Sequence, residues 1–167
     1  MALSSESSSL LDISSVKNIK DAKVAIVSTE WNDHIIQALK KGAENIAAQT
    51  SVTISQDIIV PGCFELAFAC NALYKSLKNT SDAPEAIIAF GVVIRGGTPH
   101  FDYVCKAATE GIVQLNLNLD IPVIFGVLTL DNEEQAWERL GGSHGHKGEE
   151  AMIAALKMIQ LKRNLLT

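Results

Sequence analysis

At 167 residues the chain has the length of one domain with room for a substantial core. Hydrophobic residues make up 47% and charged residues 20%, an apolar-leaning soluble mix with mean hydropathy +0.18. A net charge of −5 and a pI ≈ 5.3 argue against a nucleic-acid or anionic-membrane partner, so any bound anion needs a local cluster.

No apolar run approaches the roughly 18 residues of a membrane span. The first twenty residues carry seven serines, Glu6 and Asp12, with no Arg and no basic start before an apolar block. That pattern fits neither a secretory signal nor a transit peptide, and a cytoplasmic location is expected. Residues 1–20 read as a flexible or subunit-docking arm, and 21–167 as a single domain.

The first predicted strand is Lys23 to Thr29. Glu30-Trp31-Asn32-Asp33 turns into a helix with Ile35, Ile36, Leu39, Ala43 and Ile46 on one face. Gly42 inside that helix predicts a close backbone approach. Val52 to Val60 is a less regular strand, interrupted by Gln56 and Asp57 and ended by Pro61-Gly62. A helix from about Phe64 to Leu77 and the loop Asn79 to Glu85 follow.

Ile87 to Ile94 is a nearly unbroken apolar run, as in a buried parallel strand. Arg95-Gly96-Gly97-Thr98-Pro99 stops it, and a helical period runs from Val104 through Leu119. A last strand, Val123 to Thr129, precedes a short helix, Asn132 to Leu140, closed by Gly141-Gly142. The final helix runs from about Lys147 to Arg163. Alternating strands and helices predict a three-layer α/β/α sandwich, doubly wound and flavodoxin-like, on a four-stranded parallel sheet. Ligands then belong at the carboxyl ends of the strands.

Those ends collect chemistry. Strand, glycine turn and helix start in succession expose backbone N–H groups at a helix N-terminus, an anion site beside Arg95 and Thr98. His100 lies next to that turn, and histidine, titrating near ~6.5, suits proton transfer at neutral pH. Trp31 offers a flat ring for stacking, or simply packs at a helix start. Glu65 is a candidate for accepting from hydroxyls, or a capping glutamate. Arg139 and Lys147 flank a glycine-rich loop and offer positive charge. Cys63, Cys70 and Cys105 lack metal or redox spacing, and His144 with His146 lacks a third ligand. There is no Walker loop and no Gly-x-Gly-x-x-Gly.

At these residues the chain resembles the lumazine synthase family. The likeness rests on Trp31-Asn32, on the run from Val60 to Leu66 and on that from Gly91 to Val104. It continues through Pro122 to Thr129, Glu134-Gln135-Ala136 and Arg139. The resemblance implies condensation of 5-amino-6-ribitylaminouracil with 3,4-dihydroxy-2-butanone 4-phosphate to 6,7-dimethyl-8-ribityllumazine, with no cofactor and no metal. It implies Trp31 on the pyrimidine, with Val93 and Ile94 lining the ring through backbone groups. Asn32, Cys63, Phe64 and Glu65 would meet the ribityl chain, Gly97 and Thr98 the phosphate, and His100 would shuttle protons.

Phe125 and Arg139 of an adjacent subunit would complete the site, with Lys147 nearby. It further implies pentamers, and the short loop from Leu140 to Gly148 has the length seen in members that build an icosahedral shell. Three positions depart from the family pattern. Cys63 stands for the usual alanine or serine, Ala67 for a frequent proline and His146 for a frequent asparagine. A binding-only protein on this scaffold would dispense with His100, Thr98 and Arg139; their presence favours catalysis.

Overall fold

The computed structural model describes residues 12–166, so the first eleven residues of the predicted arm lie outside it. Strands β1 (Lys23–Thr29), β2 (Thr53–Val60), β3 (Ala86–Ile94) and β4 (Val123–Leu130) form one sheet in the order β2-β1-β3-β4, all parallel. Helices α1 (Asp33–Thr50), α2 (Leu66–Leu77) and α3 (His100–Asn118) make the crossovers. A short α4 (Glu134–Trp137), a hairpin of β5 (Leu140–Gly142) and β6 (Gly145–His146), and α5 (Lys147–Leu165) complete the chain.

Side chains of successive strand residues point to opposite faces, and this divides the core in two. Val24, Ile26, Ile88, Phe90 and Val92 pack under α1 and α5. Ala25, Val27, Ile87, Ala89 and Val93 pack under α2 and α3. The three layers expected of a doubly wound sheet are therefore present. No helix among the described residues is long and apolar enough to cross a membrane.

Two predicted elements differ in detail. Strand β2 carries a bulge: Val24 pairs with Ile54 but Ala25 with Gln56, leaving Ser55 as the extra residue. The bulge shifts the alternation, which explains the broken apolar pattern, and it leaves Asp57 to pair with Lys40 of α1 at 2.5 Å. The helix predicted over Asn132 to Leu140 shrinks to the four residues of α4. Asn132 Oδ1 caps it by accepting from the Gln135 N–H at 3.1 Å. The chain then closes into the hairpin, with the His144 N–H donating to Glu138 O and the Lys147 N–H to Arg139 O, both at 2.8 Å.

Helices α1 and α5 cross at two glycines. A Cβ on Gly148 would overlap Leu39 O and lie 2.8 Å from Leu39 C. A Cβ on Gly42 would strike the His146 ring and reach within 3.0 Å of the Glu149 amide. The close approach read from Gly42 is thus real, and His146 fills the space. At the other pole of the sheet Arg163 holds Glu85 through two hydrogen bonds of 2.6 and 2.8 Å. Its Nη1 also donates to Asn18 O at 2.9 Å and Lys20 O at 3.0 Å, fastening residues 18–20 to α5. Ile13, Val16 and Ile19 pack against the α1/α5 side of the core.

Candidate active site

The sheet reverses its direction of growth between β1 and β3, and a crevice forms outside the carboxyl ends of strands at such a point. A cavity of ≈ 560 Å³ sits there. It is lined by Trp31 and Asn32 after β1, by Pro61 to Glu65 after β2, and by Val92, Val93 and Ile94 of β3. His100 and Val104 of α3 close it. The end of β4 does not line it; Leu130 O instead accepts from the Arg95 N–H at 2.8 Å.

Strand pairing explains the floor. Strand β1 pairs with β3 only as far as Ser28 and Phe90, whereas β3 continues to Ile94. The overrun leaves the backbone edge of β3 facing the cleft on the β1 side. Asn32 takes one of its groups, Nδ2 donating to Val92 O at 3.3 Å. Asn32 itself sits in the left-handed region (φ 59), which asparagine tolerates better than most residues, and this aims its side chain across the sheet rather than onto the α1 amides. Val92 and Val104 were not singled out from the sequence. Their only signal is that they flank predicted site residues in the strand and helix periods.

Above the floor the rings stand open. Trp31 is 73% exposed and Phe64 51%, large apolar groups left uncovered at a cleft mouth. The Phe64 and His100 rings lie 6.0 Å apart with planes at 44°. Glu65 reconciles its two expected readings. Its Oε2 accepts from the Gly62 N–H at 2.9 Å and fixes the turn, while its Oε1 has no hydrogen bond among the described residues. The carboxylate is therefore positioned and still has accepting capacity.

Cys63 turns its thiol inward: a Cβ on Gly91 would come within 2.6 Å of its Sγ. Burial pushes the Cys63 thiol up to about 11 and that of Cys70 to about 12. Neither is a nucleophile at neutral pH. Alkylation by iodoacetamide at pH 7.5, followed by mass spectrometry, is expected to modify Cys63 about 10²-fold more slowly in the native chain than in urea. Equal rates would mean an accessible thiol.

The turn after β3 presents Gly96, Gly97 and Thr98 to solvent. A Cβ on either glycine would meet nothing within 4 Å, so the small residues leave the backbone bare without any internal packing need. Pro99 leads into α3, whose first turn points N–H groups at this space. Thr98 Oγ1 accepts weakly from the His100 N–H at 3.4 Å.

Arg95, expected beside the anion, is held elsewhere. Its Nε donates to Asp131 Oδ1 at 3.0 Å, and its guanidinium lies 4.0 Å over the Phe101 ring. The Asp131 hydrogen bond raises the Arg95 pKa further, so this is a fixed cation that braces the turn.

Phe125, Arg139 and Lys147 are not in this cleft. Phe125 is 42% exposed on the edge strand β4. Arg139 donates Nη1 to Gln135 O at 2.9 Å, and Lys147 pairs with Glu150 at 2.6 Å. Of the loop histidines, His144 Nδ1 lies 3.0 Å from Ser143 Oγ and His146 packs toward α1.

The family model for 6,7-dimethyl-8-ribityllumazine synthase matches residues 21–163. The protein of that name from Porphyromonas gingivalis is 46% identical over 154 residues, covering 91% of this chain and 92% of the relative. Its namesake from Christiangramia forsetii is 43% identical, covering 98% and 96% of the two chains. One from Streptomyces coelicolor is 43% identical over 85% and 86%. With a cleft at the switch point and full-length likeness on both sides of it, the chain belongs to the 6,7-dimethyl-8-ribityllumazine synthase family.

Proposed function

We propose that the cleft condenses 5-amino-6-ribitylaminouracil with 3,4-dihydroxy-2-butanone 4-phosphate, releasing 6,7-dimethyl-8-ribityllumazine, phosphate and water in riboflavin biosynthesis. The observation that carries the reading is the meeting of Trp31, Phe64, Glu65 and His100 in one cleft beside a bare glycine turn.

Trp31 stacks on the pyrimidine, and the free edge of β3 at Val93 and Ile94 meets the ring's polar groups. Asn32, the turn at Cys63, Phe64 and Glu65 hold the ribityl chain, with Glu65 Oε1 accepting from its hydroxyls. Gly97 and Thr98 seat the phosphate at the start of α3. The amine attacks the ketone, the carbinolamine loses water, phosphate is eliminated, and the ribityl-bearing nitrogen closes the ring onto the resulting carbonyl with loss of a second water. His100 moves protons in these steps. The sequence is redox-neutral and asks for no cofactor or metal.

Phe125, Arg139 and Lys147 lie outside their own cleft, which supports a site completed by an adjacent subunit. Phe125 covers the neighbour's ring, and Arg139 adds charge to its phosphate, with Lys147 close by. Rings of five satisfy this arrangement, and twelve rings close an icosahedral shell, the assembly we favour for a cytoplasmic enzyme. Light scattering tests it: roughly 90 kDa, five times the 18.0 kDa chain, means a single ring. Mixing purified protein with both substrates and following lumazine fluorescence tests the activity. A chain that forms no lumazine overturns the reading.

A further inference from the structure

Short helix α4 cannot hold its own position, because four residues make too few internal hydrogen bonds to offset their ordering. Side-chain tethers place it, and they converge on Asp131. The Asp131 carboxylate accepts from Arg95 Nε at 3.0 Å, and Arg95 Nη1 reaches Asp102 at 3.5 Å. This is one arm, and it grips both ends of the turn carrying Gly96, Gly97 and Thr98. The Asp131 N–H donates to Gln135 Oε1 at 2.9 Å, and Gln135 O receives Arg139 Nη1 at 2.9 Å. This is the other arm, and it ends on the cation of α4's far side. Arg139 Nε and Nη2 have no hydrogen bond among the described residues, so the tether orients the guanidinium and leaves donors to spare.

We propose that Asp131 is a positioning residue for the phosphorylated substrate. Its carboxylate sets the anion-binding turn of its own cleft through Arg95, while its backbone N–H anchors Gln135 whatever side chain stands at this position. This rests on the function proposed above. Asp131 touches no substrate; its side chain acts through Arg95. The pyrimidine side of the cleft, built by Trp31, Phe64 and Glu65, shares no hydrogen bond with either arm. The Arg95–Asp131 pair is exposed, with side chains 45% and 67% accessible, so it contributes little to folding and the variants fold.

The test is steady-state kinetics of Asp131→Ala and Asp131→Asn in the assembled enzyme, each substrate varied with the other saturating, and inorganic phosphate as inhibitor. In Asp131→Ala, the KM for 3,4-dihydroxy-2-butanone 4-phosphate and the inhibition constant for phosphate both rise about three- to tenfold. The KM for ribitylaminouracil and kcat stay within about twofold. Asp131→Asn, which keeps a side-chain acceptor oxygen for Arg95 Nε, restores at least half of the lost affinity. An unchanged KM and phosphate inhibition in Asp131→Ala overturns the proposal, as does a parallel loss in both KM values, kcat and melting temperature. A wild-type chain that forms no lumazine overturns the functional reading and this proposal together, so the two failures are told apart by the wild type.

Discussion

Replacing Gly148 with alanine is expected to cost about 3 kcal/mol or more of folding free energy, the upper range for overpacking. The reason lies in what the new methyl meets. It would overlap the backbone oxygen of Leu39 and approach Leu39 C at 2.8 Å and Cα at 3.0 Å. A flexible side chain could swing aside, but Leu39 is wholly buried inside α1 and its carbonyl belongs to the helix ladder. Relief requires α5 to move off α1, and both helices cover the same face of the sheet. Packing on that face includes Ile36, Met152, Leu156 and Ile159, all at most 1% exposed, so separation opens voids that water does not fill. For a chain of this size the melting temperature falls by roughly 6–12 °C, measured at fixed protein concentration because assembly adds to apparent stability. Gly96→Ala is the control: its methyl meets nothing within 4 Å, and its melting temperature stays within about 2 °C of wild type. A Gly148→Ala protein that melts like the control would show that the crossing relaxes freely.

His100→Ala is expected to lower kcat by about 10- to 10²-fold, toward the weak end for a general acid–base residue. The imidazole is exposed at the cleft mouth, so water takes its place once it is removed. Much of the acceleration remains with the geometry that holds two substrates together, where effective molarities reach ~10⁵ M. The expected signature is a fall in kcat with both KM values nearly unchanged, since the Trp31 and Gly97–Thr98 contacts persist. Stopped assays of lumazine fluorescence at saturating substrate measure it. Wild-type turnover across pH 6 to 8 in the variant would remove His100 from the proton-transfer role.

How far the sequence could be read follows the range of the forces involved. Uninterrupted apolar runs marked β1 and β3 to within a residue, because buried parallel strands carry their signal locally. The apolar face of α1 was equally plain. The irregular pattern of β2 was legible, but its cause was not: the bulge at Ser55 is a matter of register with β1. The helix before Leu140 was read too long because Gly141 resembles a helix stop. It is instead the bulged residue within β5, with φ +108.

Trp31, Asn32, Phe64, Glu65 and His100 came together as expected, since strand ends and glycine turns fix where they stand. Arg95 does not line the cleft, and Asp131, thirty-six residues away, holds its guanidinium. No local pattern announces such a partner. The same holds for His34, whose Nε2 lies 2.8 Å from Glu133 Oε1 and lowers that carboxyl's pKa.

The grip of Arg163 has a consequence for how the chain is wired. Asn18 also bonds Asn164 through its side chain at 3.2 Å, and the Lys17 N–H bonds Gln160, so the entering and leaving segments run side by side. Backbone order and spatial order are therefore nearly independent at this pole. A short peptide bridging the two segments, with the polypeptide reopened at an exposed loop, would yield a permuted molecule carrying the same catalytic mouth at its opposite end.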